Sequence, residues 1–318
     1  MRKVLLWVAA FALAACGAPQ LPKSVGLAGY SVPGGAAWME PKAAGEDLLY
    51  VSDQSGPVYV FSYPGGELVG TLTGFLAPGG LCSNKTGDVF VADTLSEAVF
   101  EYKHGSKKPF KVIGAFGYPE GCAVDPTTGN IAVTTYQTAL PSGPGNVTVY
   151  ANKKKGKTTT YTDPSFNAFL FCGYDEKGNL YVDGVNSGTT EAQFAVLPQG
   201  GASLRDFKLD KSFAYPGGIQ WDGGNVAIED VSTELLYRVT VDGSRGKIVG
   251  TAHLGGDHST LLTQFWIQNG TIVVPYGRLT RSVHRVGLWP YPSGGSPEKI
   301  LEPRDSVELL GATVSLRR

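Results

Sequence analysis

The stretch GCAVDPTTGNIAVTT, residues 121–135, joins a short apolar run, a polar turn containing glycine, and a second apolar run. Asp125 opens the turn, and Pro126 and Gly129 lie within it; these residue types reverse a chain between two strands. A cysteine, a carboxylate and a Gly-Asn step in so few positions also fit a metal loop. Repetition separates the two readings. The same pattern returns as GGLCSNKTGDVFVAD (79–93), FLFCGYDEKGNLYVDG (169–184), GGIQWDGGNVAIED (217–230) and TQFWIQNGTIVVPY (263–276), and AAWMEPKAAGEDLLYVSD (36–53) opens the series with a longer turn. Asn84, Asp175 and Asp222 stand where Asp125 stands, so the feature is the punctuation of a repeat and not one metal loop.

From Glu40 through Asn84, Asp125, Asp175 and Asp222 to Gln268, the turns are spaced by 44, 41, 50, 47 and 46 residues. Each interval also holds an alternating segment such as PVYVFSYP or LLYRVTVDG and an edge-like piece such as GELVGTLTG or KPFKVIGAFG. Period-2 alternation with β-branched and aromatic residues reads as strands, four per unit. Each small sheet has two apolar faces to cover, and radial packing covers both. The expected fold is all-β, a six-bladed β-propeller of four-stranded blades; a pair of β-sandwiches would not need one signature six times. The tail GATVSL (311–316) reads as a further inner strand that helps close the ring, with its partner strand left open.

The 318 residues carry a net charge of −1, with 43 Gly and 20 Pro, and their charged fraction of 17% is low for a soluble chain. No basic stripe exists for nucleic acid, since the run Lys153, Lys154, Lys155 and Lys157 reads as a solvated turn. At the start, Arg2 and Lys3 precede VLLWVAAFALAA, an apolar run too short to span a bilayer. This divides the chain into a signal peptide (1–15), a tether rich in Pro, Gly and Ala (16–28) and the propeller (29–318). Leu13-Ala14-Ala15-Cys16 resembles the bacterial lipobox, in which the cysteine is lipidated and becomes the new N-terminus. In that group Gly17 and Ala18, with no Asp after the cysteine, imply the outer membrane.

The step Pro78-Gly79-Gly80, repeated as Pro119-Glu120-Gly121 and Pro216-Gly217-Gly218, together with D-x-x-G-N and LYVD, is similar to NHL-like and senescence-marker/gluconolactonase-like propellers over about residues 30–317. The whole pattern looks most like secreted bacterial six-bladed propeller lipoproteins, for which the resemblance implies no reaction. In lactonases of the resembled family a Glu, Asn and Asp set holds calcium at the channel mouth. Glu40, Asn84 and Asp230 match by type, whereas Gly184 and Pro275 depart.

Candidate chemistry is sparse. No Gly-x-Ser-x-Gly elbow, His-Glu-x-x-His or phosphate-binding glycine loop occurs. His253, Asp257 and His258 have loose ligand spacing but read as an inter-blade turn, and His104 and His284 stand alone. Acidic groups do recur at the ends of the second strands. One aligned position holds Asp53, Asp93, Thr135, Gly184, Asp230 and Tyr276, and the position before it holds Ser52, Ala92, Thr134, Asp183, Glu229 and Pro275. Such carboxylates either accept backbone hydrogen bonds from the next turn or converge on a hard cation such as calcium. The ring-face binding candidates are therefore Asp53, Asp93, Asp183, Glu229, Asp230 and Tyr276.

Cys82, Cys122 and Cys172 lie on equivalent inner strands, Cys82 one residue later than the other two. Side chains alternate between sheet faces, so residues that meet across an inter-blade gap need opposite parity. Cys82 and Cys122 are the expected bridge in a disulfide-permissive compartment, leaving Cys172 a buried thiol; the alternative is three small core residues. Trp38, Trp221, Trp266 and Trp289 read as inter-blade packing, and Tyr63, Tyr118, Tyr215 and Tyr291, each before a proline, as turn staples. The expected function is an envelope-anchored, non-catalytic, monomeric scaffold that binds a protein, peptide or glycan without a cofactor. The alternative is a calcium-dependent lactonase.

Overall fold

A computed structural model describes residues 30–139, 143–152, 157–189, 191–213, 215–231, 233, 235–256, 264–278 and 283–318. Cys16, the signal peptide, the tether, Lys153 to Lys155, Asp257 and His258 lie outside the described residues.

The chain forms six sheets of four or five strands, antiparallel but for one short edge strand, arranged as a six-bladed β-propeller. The only helical turn among the described residues is the 3-10 segment Pro41–Gly45. In order from the axis outward, blade 2 is Pro78–Ser83, Val89–Asp93, Ala98–Tyr102 and Pro109–Gly114. Blades 3 to 6 follow the same plan, with inner strands Pro119–Val124, Phe166–Tyr174, Pro216–Trp221 and Trp266–Gln268. In blade 5 the short strand Lys208–Leu209 adds in parallel to the outer edge.

Blade 1 is built from both ends of the described chain. Its inner strand is Leu309–Ser315, antiparallel to Leu48–Asp53 with Leu48 opposite Ser315 and Tyr50 opposite Thr313. This corrects the reading of AAWM as the first inner strand. Trp38–Met39 instead pairs with the outer strand Leu68–Leu72, and Trp38 is 40% exposed. The reason is competition for one place at the axis: all seven residues of Leu309–Ser315 are buried there.

Period-2 alternation distributes side chains between two interfaces per blade. Leu48 and Tyr50 pack towards blade 2 with Val89, Val91 and Phe100. Leu49 and Val51 pack towards blade 6 with Val273, Val286 and Leu288. Equivalent clusters fill the other four gaps, so the core is a set of six inter-blade wedges.

The P-x-G steps are β-bulges. Pairing skips between Pro78 and Leu81 and between Pro216 and Ile219, and a shift falls opposite Pro119. Of the blades without the motif, blades 4 and 1 bulge at the same height, between Phe169 and Cys172 and between Val51 and Asp53. A bulge bends the strand and brings its backbone against the next blade. A Cβ on Gly80 would lie 2.6 Å from the Glu120 carbonyl oxygen, and one on Gly311 would lie 2.7 Å from that of Gly79. Only glycine permits this approach.

Cys82 and Cys122 form a disulfide with a Cα–Cα distance of 5.6 Å, and Cys172 is a buried free thiol. The bridge joins the inner strands of blades 2 and 3 and closes a loop of 40 residues. In the chain-entropy account such a loop contributes about 4 kcal/mol. Replacing both cysteines by alanine is expected to lower the unfolding free energy in urea by about 2–4 kcal/mol; an unchanged midpoint and slope would show that the bridge adds nothing to the ring.

Candidate functional site

The ring has two faces. One carries the hairpins that link each inner strand to its second strand; the other carries the entries to the inner strands and the ends of the second strands.

The hairpin turns are held by the side chains that open them. Asn84 Oδ1 accepts hydrogen bonds from the Thr86 and Asp88 amides at 2.8 and 2.9 Å, and Asp125 Oδ1 accepts from Thr127 at 2.8 Å. Asp175 Oδ1 accepts from Lys177 and Asn179, and Asp222 Oδ1 from Gly224 and Asn225. Tyr291 donates to Asp222 Oδ2 at 2.7 Å and Tyr63 to the Gln268 carbonyl at 3.1 Å, so both hydroxyls staple neighbouring connections. Glu40, Asn84 and Asp230 are not brought together. Glu40 sits beside Lys42 at the outer side of blade 1, Asn84 opens the blade 2 hairpin, and Asp230 ends a strand on the opposite face.

On that opposite face all six predicted binding residues are buried, at 0% for Asp53, Asp93 and Asp183, 1% for Asp230, 3% for Glu229 and 4% for Tyr276. Asp53 accepts from Ser55, Val307 and Glu308 amides, at 2.9, 2.8 and 3.2 Å. Asp93 accepts from the Leu76 and Ala77 amides and the Ser96 hydroxyl, at 3.0, 2.7 and 2.6 Å. Each carboxylate thus ties the end of a second strand to the entry of its own inner strand. Tyr276 packs beside Trp289 with ring centroids 5.9 Å apart. Gly184 departs from the acidic pattern for a steric reason: a Cβ there would lie 2.0 Å from the Ala168 carbonyl oxygen.

The preceding position points at the bulges. Ser52 Oγ donates to Gly79 O at 2.5 Å and accepts from Gly311 N at 2.9 Å; Thr134 Oγ1 donates to Leu170 O at 2.6 Å and accepts from Gly121 N at 3.0 Å. Asp183 accepts from Phe171 N through one oxygen at 2.8 Å, while its Oδ2, like Glu229 Oε2, is buried without a partner. Desolvation pushes Glu229 up to about 8, against a hydrogen bond from Gly218. Burial alone pushes Glu120 up to about 7. Asp183 is raised well above its ordinary value by burial, with the Glu229 charge adding to it. In all three carboxyls burial disfavours the ionised form, because ionising them would place charge where no water reaches. Among the described residues, no three His, Cys, Asp or Glu side chains are grouped to hold a metal ion.

Two residues of this region escape a sequence reading. Glu120 hides inside a P-x-G step. Gln264 precedes the blade 6 inner strand, yet its Oε1 accepts from Leu81 N of blade 2 at 2.7 Å while its own amide donates to Leu310 O. It therefore spans blade 1 and floors the axial channel.

Between that floor and the hairpins lies a cavity of about 290 Å³. Its walls include Cys82–Cys122, Cys172, Tyr174, Trp221 and Trp266, and Pro126 and Glu176 stand at the hairpin end. Two polar side chains of the wall are engaged, whereas the indole N–H groups of Trp221 and Trp266 are buried without a partner. The Gln220 amide exchanges two hydrogen bonds with the Ile267 backbone, and the Asp175 carboxylate holds its own turn. Burial raises the Cys172 thiol well above its ordinary value, so the thiolate does not form near neutral pH.

No protein-family model and no curated protein sequence matches the chain. Solved structures do. A chain of the nidogen/laminin complex superposes with a TM-score of 0.64 at 17% identity, covering 86% of this chain and 99% of that one. A Bacteroides caccae protein of unknown function gives 0.61 at 14% identity, over 86% of this chain and 100% of that one. A functionally unknown protein from Desulfotomaculum acetoxidans gives 0.53 at 15% identity, over 84% of each. At these identities the likeness establishes the propeller fold alone.

The buried carboxyls set a pH dependence. Their folded pKa values lie above the unfolded ones, so the stability they contribute is complete below about pH 4.5 and is lost as pH rises through about 7 to 8. Glu229→Gln keeps the shape without the titration. The urea midpoint of the native protein is expected to fall between pH 5 and pH 8, and that of the variant to fall less; parallel profiles would show that Glu229 ionises in the folded ring as freely as in the unfolded chain.

Proposed function

We propose that the protein is a non-catalytic binding propeller, held at the cell envelope by lipid on Cys16, whose axial cavity receives one apolar group of a protein, peptide or glycan. The observation that carries this reading is the cavity wall. The Asp175 carboxylate holds its own turn, the Gln220 amide is taken by the Ile267 backbone, the thiol stays protonated, and what the wall offers a visitor is aromatic and aliphatic surface with the unpaired indole N–H groups of Trp221 and Trp266. Its volume, about 290 Å³, is at the small end for ligand pockets and suits a single side chain or sugar face. That a similar fold occurs in the nidogen/laminin complex supports a protein-binding use of such a ring. The sequence Leu13-Ala14-Ala15-Cys16 supports the lipid anchor, and Gly17 and Ala18 support the outer membrane.

Two measurements test this. A photo-crosslinking residue at Glu176, beside the cavity mouth, is expected to give a discrete adduct in intact cells that is absent when the same residue replaces Lys108 on the outer turn of blade 2. Equal adducts at both places would remove the cavity as the binding site. Calorimetric titration with calcium is expected to show no stoichiometric binding up to millimolar metal; a tight site would instead favour the metal-dependent hydrolase. Independently, Cys16→Ser is expected to shift the protein from the membrane to the soluble fraction, and its retention there would overturn the anchor.

A further inference from the structure

The face opposite the hairpins carries an apolar rim that the cavity does not use. Leu76 and Leu95 are 63% and 60% exposed, and Val32 and Tyr136 are 43% and 38% exposed. Hydrogen bonds place their connections side by side: Leu76 N donates to Asp93, the Thr94 amide donates to Ala77 O, Thr94 Oγ1 donates to Pro119 O, and Tyr136 N donates to Tyr118 O. The connections 73–77, 94–97, 115–118 and 136–139 contain a single ionisable carboxylate, Glu97, and no basic residue. Hydrophobic side chains ringed by uncharged backbone turns are an exposed patch of the kind that marks an interaction surface.

The described chain begins on this same face. Gly34 O accepts from Thr73 Oγ1 at 2.7 Å, Tyr30 packs against the wedge between blades 1 and 2, and the Glu97 charge acts on its hydroxyl. Thirteen residues lie between Tyr30 and Cys16. Fully extended, that number of residues spans at most about 50 Å.

We propose that this rim is a lipid-contacting face: the ring rests on the bilayer through Leu76, Leu95 and their neighbours, with the cavity mouth turned outward. The inference rests on the anchor in the preceding reading, because a lipid at Cys16 is what brings the rim to the surface. The geometry is consistent with both tasks, since the described chain begins at the face that carries the rim and the cavity opens on the other. A lipid surface fits this part of the rim better than a polypeptide does, because its four adjacent turns offer apolar side chains with Glu97 as their one charged residue. Side chains of this type enter the boundary between headgroups and acyl chains.

The test uses the protein purified from membranes and reconstituted into phosphatidylethanolamine/phosphatidylglycerol vesicles with brominated acyl chains. A polarity-sensitive dye is placed on Leu95→Cys or, as the opposite-face control, on Lys177→Cys. Quenching is expected to be several-fold stronger at position 95 than at 177, and Leu76→Asp is expected to reduce it while leaving the fraction of protein bound to vesicles unchanged. Bound protein with equally weak quenching at both positions would overturn the lipid-facing rim and leave the anchor standing; it would assign the rim to a protein partner. Stronger quenching at 177 would overturn the orientation outright. Should Cys16 prove unmodified, the same labelled proteins held on nickel-chelating vesicles by a histidine tag at the N-terminus give the same decision, so loss of the anchor and loss of the rim contact are read separately.

Discussion

The ring depends on six inner strands approaching one another by backbone at the axis. A bulge at one height in blades 1 to 5 bends their inner strands inward, and glycines at Gly79, Gly80, Gly121, Gly218 and Gly311 remove the Cβ atoms that would keep neighbours apart. Hydroxyls of Ser52 and Thr134 fill the space between with short hydrogen bonds to the next blade's carbonyls. Because blade 1 takes its inner strand from Leu309–Ser315, the last wedge forms only when both ends of the described chain meet. His104 reinforces that closure, bonding Ser315 Oγ at 2.6 Å and the Glu46 carbonyl at 2.9 Å with its two ring nitrogens.

This constraint also explains where the acidic residues went. A strand that bulges leaves backbone amides without ladder partners, and unpaired buried donors are costly. Asp53 and Asp93 supply the acceptors for the connections entering their bulges; Asp183 and Glu229 do so deeper in, for Phe171 and Gly218. The recurrence of carboxylates at one end of the ring therefore reflects a repeated backbone need. The deeper pair is raised in pKa by the same burial that makes it useful as an acceptor. Gln264 then stands between these buried carboxyls and the cavity, and the two ends of the axis acquire different chemistry.

Much of the architecture was legible because it is local and repeated. Alternation and turn chemistry marked the strand pairs, and the one-residue offset of Cys82 against Cys122 carried the disulfide, since strand parity decides which side chains face across a gap. AAWM was misplaced because an apolar pair before a turn looks alike at the inner and outer edges of a sheet. Only the competing strand from residues 309–315, remote in sequence, determines which edge it joins. Glu120 and Gln264 gave no signal for a related reason. Each sits inside a repeated stretch at a position whose residue type is not shared between blades, and their surroundings come from other blades.

The sequence by itself determined the all-β class, the number of blades, the hairpin turns and the parity that pairs two cysteines, because these follow from periodicities of two residues and of one blade. The tertiary structure alone decided which strand closes the ring, that the strand-end carboxylates face inward and become backbone acceptors, and that the axis holds a cavity open on one face with an apolar rim on the other. Those features arise where residues from different blades converge, and convergence around an axis leaves no trace in the spacing along a single chain.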